Sequence, residues 1–521
     1  MIGASTHRRF AINVASGLGS LSLGLLLGLW YTPYMIRRLG VTVYGLVPLA
    51  GSITNYLTIV TTIIASSVAR FIVADLARGD AVSANRHFNT FLAAAAAIAV
   101  ALFSLSASFG LTLFPILFKM PLGQERASQG LFIAIAGTFL LSTISNVFAS
   151  SIWVSNRFEI QYLIEGATSI LRVGLIVLFF TVWQPALWQV GIAFACAGVF
   201  GLAANIAACW KLAPSLRLRA SDFDRSKLAE LGQMGGWLLV YQVGSVLFLN
   251  MDLILVNVLL GPDAGGHYAP LVQWLSLLRM VAMMVAGVLG PPLIVFHARR
   301  EMDSLLRVSG QAAKLMGLLI ALPIGLLCGF SGPLLGTWLG RSFVAYAPLT
   351  WLLLIPLSLE AAQMHLGSIT IAANKVRVPG LLSLASGIAY VGAATLLTRQ
   401  FRLGLFGIAL AGAAVSLGRS ALLSAYAARV MERRENVFAG KMAGALTAAL
   451  ILGSAAFGAS HWVTPGSWIR LVLFAAPLGG AYLLAAYLFI LKDEDRARVK
   501  HILLLRGSIE PVPAPAGSPL A

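Results

Sequence analysis

Fourteen apolar runs, each about 20 residues or longer, follow one another along the chain with only short polar breaks. They lie near 10–36, 45–70, 88–118, 129–153, 161–183 and 188–210, then near 233–260, 268–296, 308–332, 345–372, 380–399, 403–428, 441–461 and 468–491. A helix needs about 20 residues to cross roughly 30 Å of hydrocarbon. Lipid offers the backbone no hydrogen-bond partners, so a spanning segment must satisfy its own. Runs this long predict an all-α, polytopic membrane protein of about 14 transmembrane helices. Composition agrees: 59% of the 521 residues are hydrophobic and 11% charged, where a soluble domain is about a quarter charged. Too few polar side chains remain to cover a water-facing surface. A soluble enzyme, a nucleic-acid-binding module and a disordered scaffold are thereby excluded. Interior prolines (Pro33, Pro115, Pro323, Pro356) are expected to kink or end their helices.

The net charge of +18 reads as topology rather than nucleic-acid affinity. With the N-terminus inside, 26 of the 37 Lys and Arg fall on the N-terminal side of the membrane and 8 on the other. Basic residues concentrate in cytoplasmic loops. The expected location is therefore the cytoplasmic (inner) membrane, multi-pass, with both termini cytoplasmic. Cys196, Cys209 and Cys328 lie in or at the ends of apolar runs and read as small buried side chains. No metal-ligand spacing, nucleotide loop of the G-x-x-x-x-G-K-[ST] type or hydrolase motif is present, so no cofactor is expected.

The chain also matches itself weakly. Leu39-Gly40 through Gly45 is followed by Leu260-Gly261 through Gly266 at an offset of 221 residues. The loop 76–80 matches 297–301 at the same offset, and Ser155-Asn156-Arg157 matches Ala373-Asn374-Lys375 at 218. Such repeats mark transporters built from two related bundles with a site between them near the midplane. The expected organisation is an N-terminal six-helix lobe over 1–210, a cytoplasmic linker over 211–232 and a C-terminal six-helix lobe over 233–428. Two additional helices over 429–491 and a cytoplasmic tail over 492–521 complete it.

The first helix ends in Pro33-Tyr34-Met-Ile-Arg-Arg-Leu39-Gly40, followed by Val43-Tyr44-Gly45-Leu46. Together with Asp252 in span seven and the segment Leu260-Gly261 to Gly266-His-Tyr268, this resembles the polysaccharide (O-antigen type) flippases. These belong to the multidrug/oligosaccharidyl-lipid/polysaccharide exporter superfamily. The resemblance implies a V-shaped pair of six-helix bundles around a central cavity. It implies a lipid-linked glycan as substrate, of the kind built into lipopolysaccharide, moved between leaflets by alternating access. It further implies membrane lipids and cell-envelope polysaccharide assembly proteins as partners, and no enzymatic activity.

Charges at bilayer depth are costly and face a cavity or a partner. The basic ones are Arg172, Arg279 and Arg419, and the acids are Glu165, Asp252 and Glu360. Glu165, Thr168 and Arg172 make one polar stripe at i, i+3 and i+7. Arg172 reads either as half of an ion pair or as a fork of donors for a phosphate. Arg279 reads as cavity-facing or as a partner of Asp252 or Glu360. Arg419 reads as a snorkelling or paired side chain or as a substrate contact, and Arg70 as a headgroup contact or a positive-inside anchor. Asp252, Glu360 and Glu165 are candidates for ion coupling. Tyr241, Asn250 and Gln363 are candidate cavity polar groups, with Glu360, Gln363, Gly367 and Asn374 on one face of span ten.

Two other activities compete. A drug/cation antiporter of the same superfamily wants an acid in the first helix, where this chain has only Asn13. A membrane-embedded cell-envelope glycosyltransferase or ligase wants a sizeable outer loop, and the outer loops here are about a dozen residues or fewer.

Overall fold

The structure is a computed structural model that describes residues 2–228, 236–433, 435–463 and 466–490, and among them the regular structure is entirely helical. The expected tail over 492–521 and the end of the linker lie outside the described residues. In the N-terminal half run α1 (Ile2–Leu39), α2 (Val41–Tyr44), α3 (Leu46–Thr54), α4 (Thr58–Ala77), α5 (Ala81–Thr112), α6 (Glu125–Phe148), α7 (Phe158–Val182) and α8 (Leu187–Leu212). The C-terminal half has α9 (Gly236–Leu260), α10 (Pro262–Ala298), α11 (Met302–Gly329), α12 (Ala347–Gln363), α13 (Leu366–Ala372), α14 (Arg377–Arg399) and α15 (Gly404–Val430). Then come α16 (Ala439–Ser460) and α17 (Trp468–Ala485).

Every expected apolar run lies on helix. Thirteen stretches among the described residues are long and apolar enough to cross a membrane. The run near 10–36 lies on α1, a helix of 38 residues. Three of the four prolines do not interrupt their helices: Pro33, Pro323 and Pro356 sit inside α1, α11 and α12. Proline is tolerated there because packed neighbours and local backbone adjustment satisfy the carbonyl it frees. Pro115 instead begins a separate turn, Phe114–Leu117, at the end of α5.

The weak sequence matches coincide with repeated backbone geometry. Gly40 and Gly261 both take positive φ, 82° and 101°, and each precedes the next helix. Gly79 (78°) and Arg300 (59°) do the same at the offset of 221, and Asn156 (51°) and Asn374 (53°) at 218. Only glycine adopts this region freely, so its reappearance at matched loop positions reflects one chain path used twice.

The two halves meet at the end remote from the basic loops. A Cβ on Gly45 would lie 2.6 Å from the Gly266 nitrogen, so these matched glycines let the backbones touch. Around them Thr42 donates to Asp263 (3.0 Å), Thr32 to Gln273 (2.7 Å) and Trp338 Nε1 to the Leu29 carbonyl (2.6 Å). Asn257 and the Lys119 backbone exchange two hydrogen bonds of 3.0 and 3.1 Å. One apolar core runs through both halves at this end. At the basic end each half has its own core, around Phe88 and Phe148 in one and around Leu305 and Phe438 in the other. The halves therefore diverge toward the basic end. There the segment after α8 is strapped to α5, with Asn85 and Asn89 accepting from the Arg217 and Arg219 backbone N–H groups at 2.7 and 2.9 Å.

The last two helices belong to the C-terminal half. α16 lies along α11, where Gly325 and Gly329 let Leu452 and Ala456 approach closely. The Gly325-x-x-x-Gly329 spacing, common in a chain with 51 glycines, is a true small-residue contact here.

In vesicles, a Thr42→Cys/Asp263→Cys pair is expected to cross-link readily. Adding Gly45→Val forces the Gly266 backbone away and lowers the cross-linked fraction several-fold. Cross-linking insensitive to Gly45→Val contradicts the glycine contact.

Candidate functional site

Three helices of the C-terminal half bring three charges together at mid-helix depth. Glu360 of α12 accepts from Arg279 Nη2 of α10 at 3.2 Å through one carboxylate oxygen. It accepts from Arg419 Nη2 of α15 at 3.0 Å through the other. Glu360 and Arg419 are 6% and 7% exposed. Arg419 also lies over the Phe248 ring, 4.6 Å from its centroid. Two guanidiniums on one carboxylate leave a net positive charge in a region where an unpaired charge costs several kcal/mol.

Local backbone geometry places this cluster. α12 ends at Gln363, Met364 and His365 turn, and α13 begins at Leu366. Discontinuous membrane helices commonly line binding sites because irregular backbone is tolerated only beside a cavity or inside protein. The break keeps Glu360, Gln363 and Gly367 on a common wall. It also corrects the expected four-residue face: Asn374 lies beyond α13 in a left-handed turn, not on that wall.

The wall belongs to a cleft of about 410 Å³. Tyr241 and Ser245 of α9, Arg279 of α10, Glu360 and Gln363 of α12 and Arg419 of α15 all line it. The cleft thus lies among the helices of the C-terminal half. A much smaller space of about 40 Å³ adjoins the other side of the triad, lined by Asp252, Tyr268, Tyr390, Arg279 and Glu360. In it the Tyr390 hydroxyl donates to Asp252. The ion pair of Arg279 is therefore with Glu360 and not with Asp252.

The remaining candidates lie elsewhere. Arg172 sits over the Phe194 ring at 4.7 Å, within electrostatic reach of Tyr31. It forms no ion pair among the described residues, so the expected stripe does not close: Glu165 is exposed and accepts from Gln161 at 2.9 Å. Arg70 is exposed and covers Phe71 at 5.2 Å. Asn250 accepts from Asn55 at 3.1 Å and serves the contact between halves.

The repeat offsets add a correspondence that the spans read singly do not disclose. Tyr31 maps onto Asp252 at 221, and Arg172 maps onto Tyr390 at 218. At the same repeat position the first half therefore holds a tyrosine within electrostatic reach of an arginine, and the second a tyrosine bonded to an aspartate. The triad has no such twin, because Arg279, Glu360 and Arg419 map onto Thr58, Ser142 and Gly201.

The family model described as "Polysaccharide biosynthesis protein" matches residues 11–295. The uncharacterized membrane protein EpsK of Bacillus subtilis (strain 168) is 30% identical over 494 residues, 94% of this chain and 97% of that protein. Two solved structures share the fold. One is a multidrug resistance MATE family transporter of the MOP superfamily in an inward-facing conformation (TM-score 0.68, 13% identity, 79% of this chain and 94% of that one). The other is the lipid II flippase MurJ in an inward closed conformation (TM-score 0.64, 11% identity, 92% and 99%).

Removing one member of a buried ion cluster is more damaging than replacing all of it with apolar groups. Glu360→Gln is expected to cost about 3–5 kcal/mol and to lower the melting temperature of the purified protein. The triple replacement of Arg279, Glu360 and Arg419 by Met should recover most of that loss while carrying no transport. A triple variant less stable than Glu360→Gln contradicts the ion-cluster account.

Proposed function

This chain belongs to the polysaccharide biosynthesis protein family, and from that premise we propose that it is a secondary transporter, a flippase for a polyprenyl-pyrophosphate-linked oligosaccharide. It carries that lipid from the inner to the outer leaflet of the cytoplasmic membrane by alternating access. One observation carries the reading: Arg279 and Arg419 converge on the single Glu360 carboxylate beside a large cleft, so that two guanidinium groups stand at membrane depth where an anionic headgroup can reach them. Guanidinium forks suit phosphate oxygens in particular.

The mechanism follows from where the halves touch. Their separation opens the basic end, which the Lys and Arg distribution assigns to the cytoplasm. A headgroup enters there and reaches the triad, with Glu360 holding both arginines in position while the site is empty. Contacts such as Thr32–Gln273, Thr42–Asp263 and Asn55–Asn250 keep the opposite end shut. Each such bond contributes about 0.5–1.5 kcal/mol net, so a ligand that prefers the alternative state by a few kcal/mol suffices to part them. Asp252, held by Tyr390 in the adjoining space, is the coupling carboxylate of this scheme. Its protonation or sodium binding would weaken that bond and bias the return step.

The residual positive charge disfavours a drug or cation antiporter, since a cationic substrate would be repelled where Arg279 and Arg419 converge. Short connections among the described helices support transport rather than glycosyl transfer.

Reconstituted into vesicles, the protein is expected to exchange a polyprenyl-pyrophosphate saccharide between leaflets. Loss of a charged hydrogen bond costs about 1.5–3 kcal/mol, so Arg279→Met and Arg419→Met should each slow exchange roughly tenfold or more. Exchange unaffected by both variants overturns the proposal. A second measurement addresses coupling: Asp252→Asn should retain exchange but lose its response to an imposed proton or sodium gradient. A full response in that variant removes Asp252 from the coupling role.

A further inference from the structure

The cleft wall carries unpartnered polar atoms of two chemical kinds. Arg279 Nε and Arg419 Nε are buried donors with no hydrogen-bond partner. Gln363 Oε1 is a buried acceptor with none, on a side chain only 6% exposed. Ser245 Oγ, across the cleft on α9, is likewise buried and unpartnered. Buried polar atoms are nearly always paired, with protein, ordered water or a ligand, and these four border one and the same cleft.

An ionised diphosphate has acceptors only. It can take the two guanidinium N–H groups, but it leaves the Gln363 carbonyl oxygen stranded beside further negative charge. What that oxygen requires is a hydroxyl or an amide N–H. The space is sufficient, because the cleft's volume of about 410 Å³ falls within the roughly 300–1,000 Å³ of a small-molecule pocket. Gln363 lies three residues after Glu360 on the same helix, one helical step from the charges.

We propose that Gln363 and Ser245 form a saccharide subsite that binds the hydroxyl or acetamido donors of the first sugar attached to the diphosphate. This rests on the flippase reading above and deepens it. The arginines recognise that the lipid is an anion, and Gln363 with Ser245 recognise that it is glycosylated. The carrier lipid without its sugar is then a poor ligand, which keeps the transporter from cycling on unloaded carrier.

The test measures binding to the full-length protein in detergent with two probes. One is a polyprenyl diphosphate and the other is the same lipid bearing one N-acetylhexosamine. Wild type is expected to prefer the glycosylated probe by roughly tenfold, the worth of one well-made hydrogen bond or two. Gln363→Leu should abolish that preference and leave affinity for the bare diphosphate unchanged. Ser245→Ala, on a different helix, should reduce the preference part of the way and serves if Gln363→Leu does not fold. Retention of the full preference in both variants, or equal weakening toward both probes, overturns the subsite. Failure of the underlying reading looks different: wild type would then bind neither probe, or Arg279→Met would bind both as wild type does.

Discussion

Hydrocarbon supplies no hydrogen-bond partners, and that constraint governs everything else in this molecule. It forces each crossing segment into a helix that closes its own backbone bonds. It also makes every charged side chain at depth conspicuous, since each must find a partner or water inside the protein. Glu360 is the partner that makes Arg279 and Arg419 tolerable, and without it α10 and α15 would each carry a charge that has lost its ion pair. The triad therefore ties α10, α12 and α15 together while leaving positive charge at their meeting point. Stability and ligand attraction come from the same three residues.

The two halves share a scaffold but not a chemistry. Matched loops adopt matched left-handed turns, and matched glycines at positions 45 and 266 meet where the halves join. A contact between equivalent positions lies close to the axis relating the two halves, where relative rotation moves atoms least. Further from that contact the halves diverge. Tyr31 with Arg172 stands where Asp252 with Tyr390 stands in the other half, and the triad faces nothing comparable. A duplicated frame whose halves carry different polar groups at matched positions can treat the same headgroup differently on its two sides.

Much of this was legible before any coordinates. Hydropathy located every crossing helix, because a run of twenty apolar residues has few other fates. The loop matches around Gly40, Gly79 and Asn156 identified the duplication, because turn geometry restricts residue type more tightly than helix geometry does. The intramembrane charges were visible as exceptions to an apolar background. Their pairing was legible only as alternatives, with Asp252 and Glu360 both open to Arg279. Glu165 and Arg172 share a helical stripe yet do not pair, whereas Arg279, Glu360 and Arg419 pair from three separate helices. Side chains seven residues apart on one helix are about two turns distant, and only helix packing decides whether a nearer partner exists. The face proposed through Asn374 failed for a related reason, since a break after Gln363 has no strong marker in the sequence. Tyr390 went unremarked because a lone tyrosine in an apolar helix says nothing until Asp252 is found against it.

By itself the amino-acid order determined that the chain lives in a membrane, where its long apolar helices run, which end is basic and which few residues are out of place in lipid. Those properties depend on solvation and on local backbone preference, and both are read residue by residue. The tertiary structure alone decided which misplaced charges meet, that the cleft lies among the helices of the second half, and that the halves touch at the end away from the basic loops. Such outcomes depend on distances between helices far apart in the chain, and the energy of a buried ion pair exists only once packing has brought its members within a few ångströms.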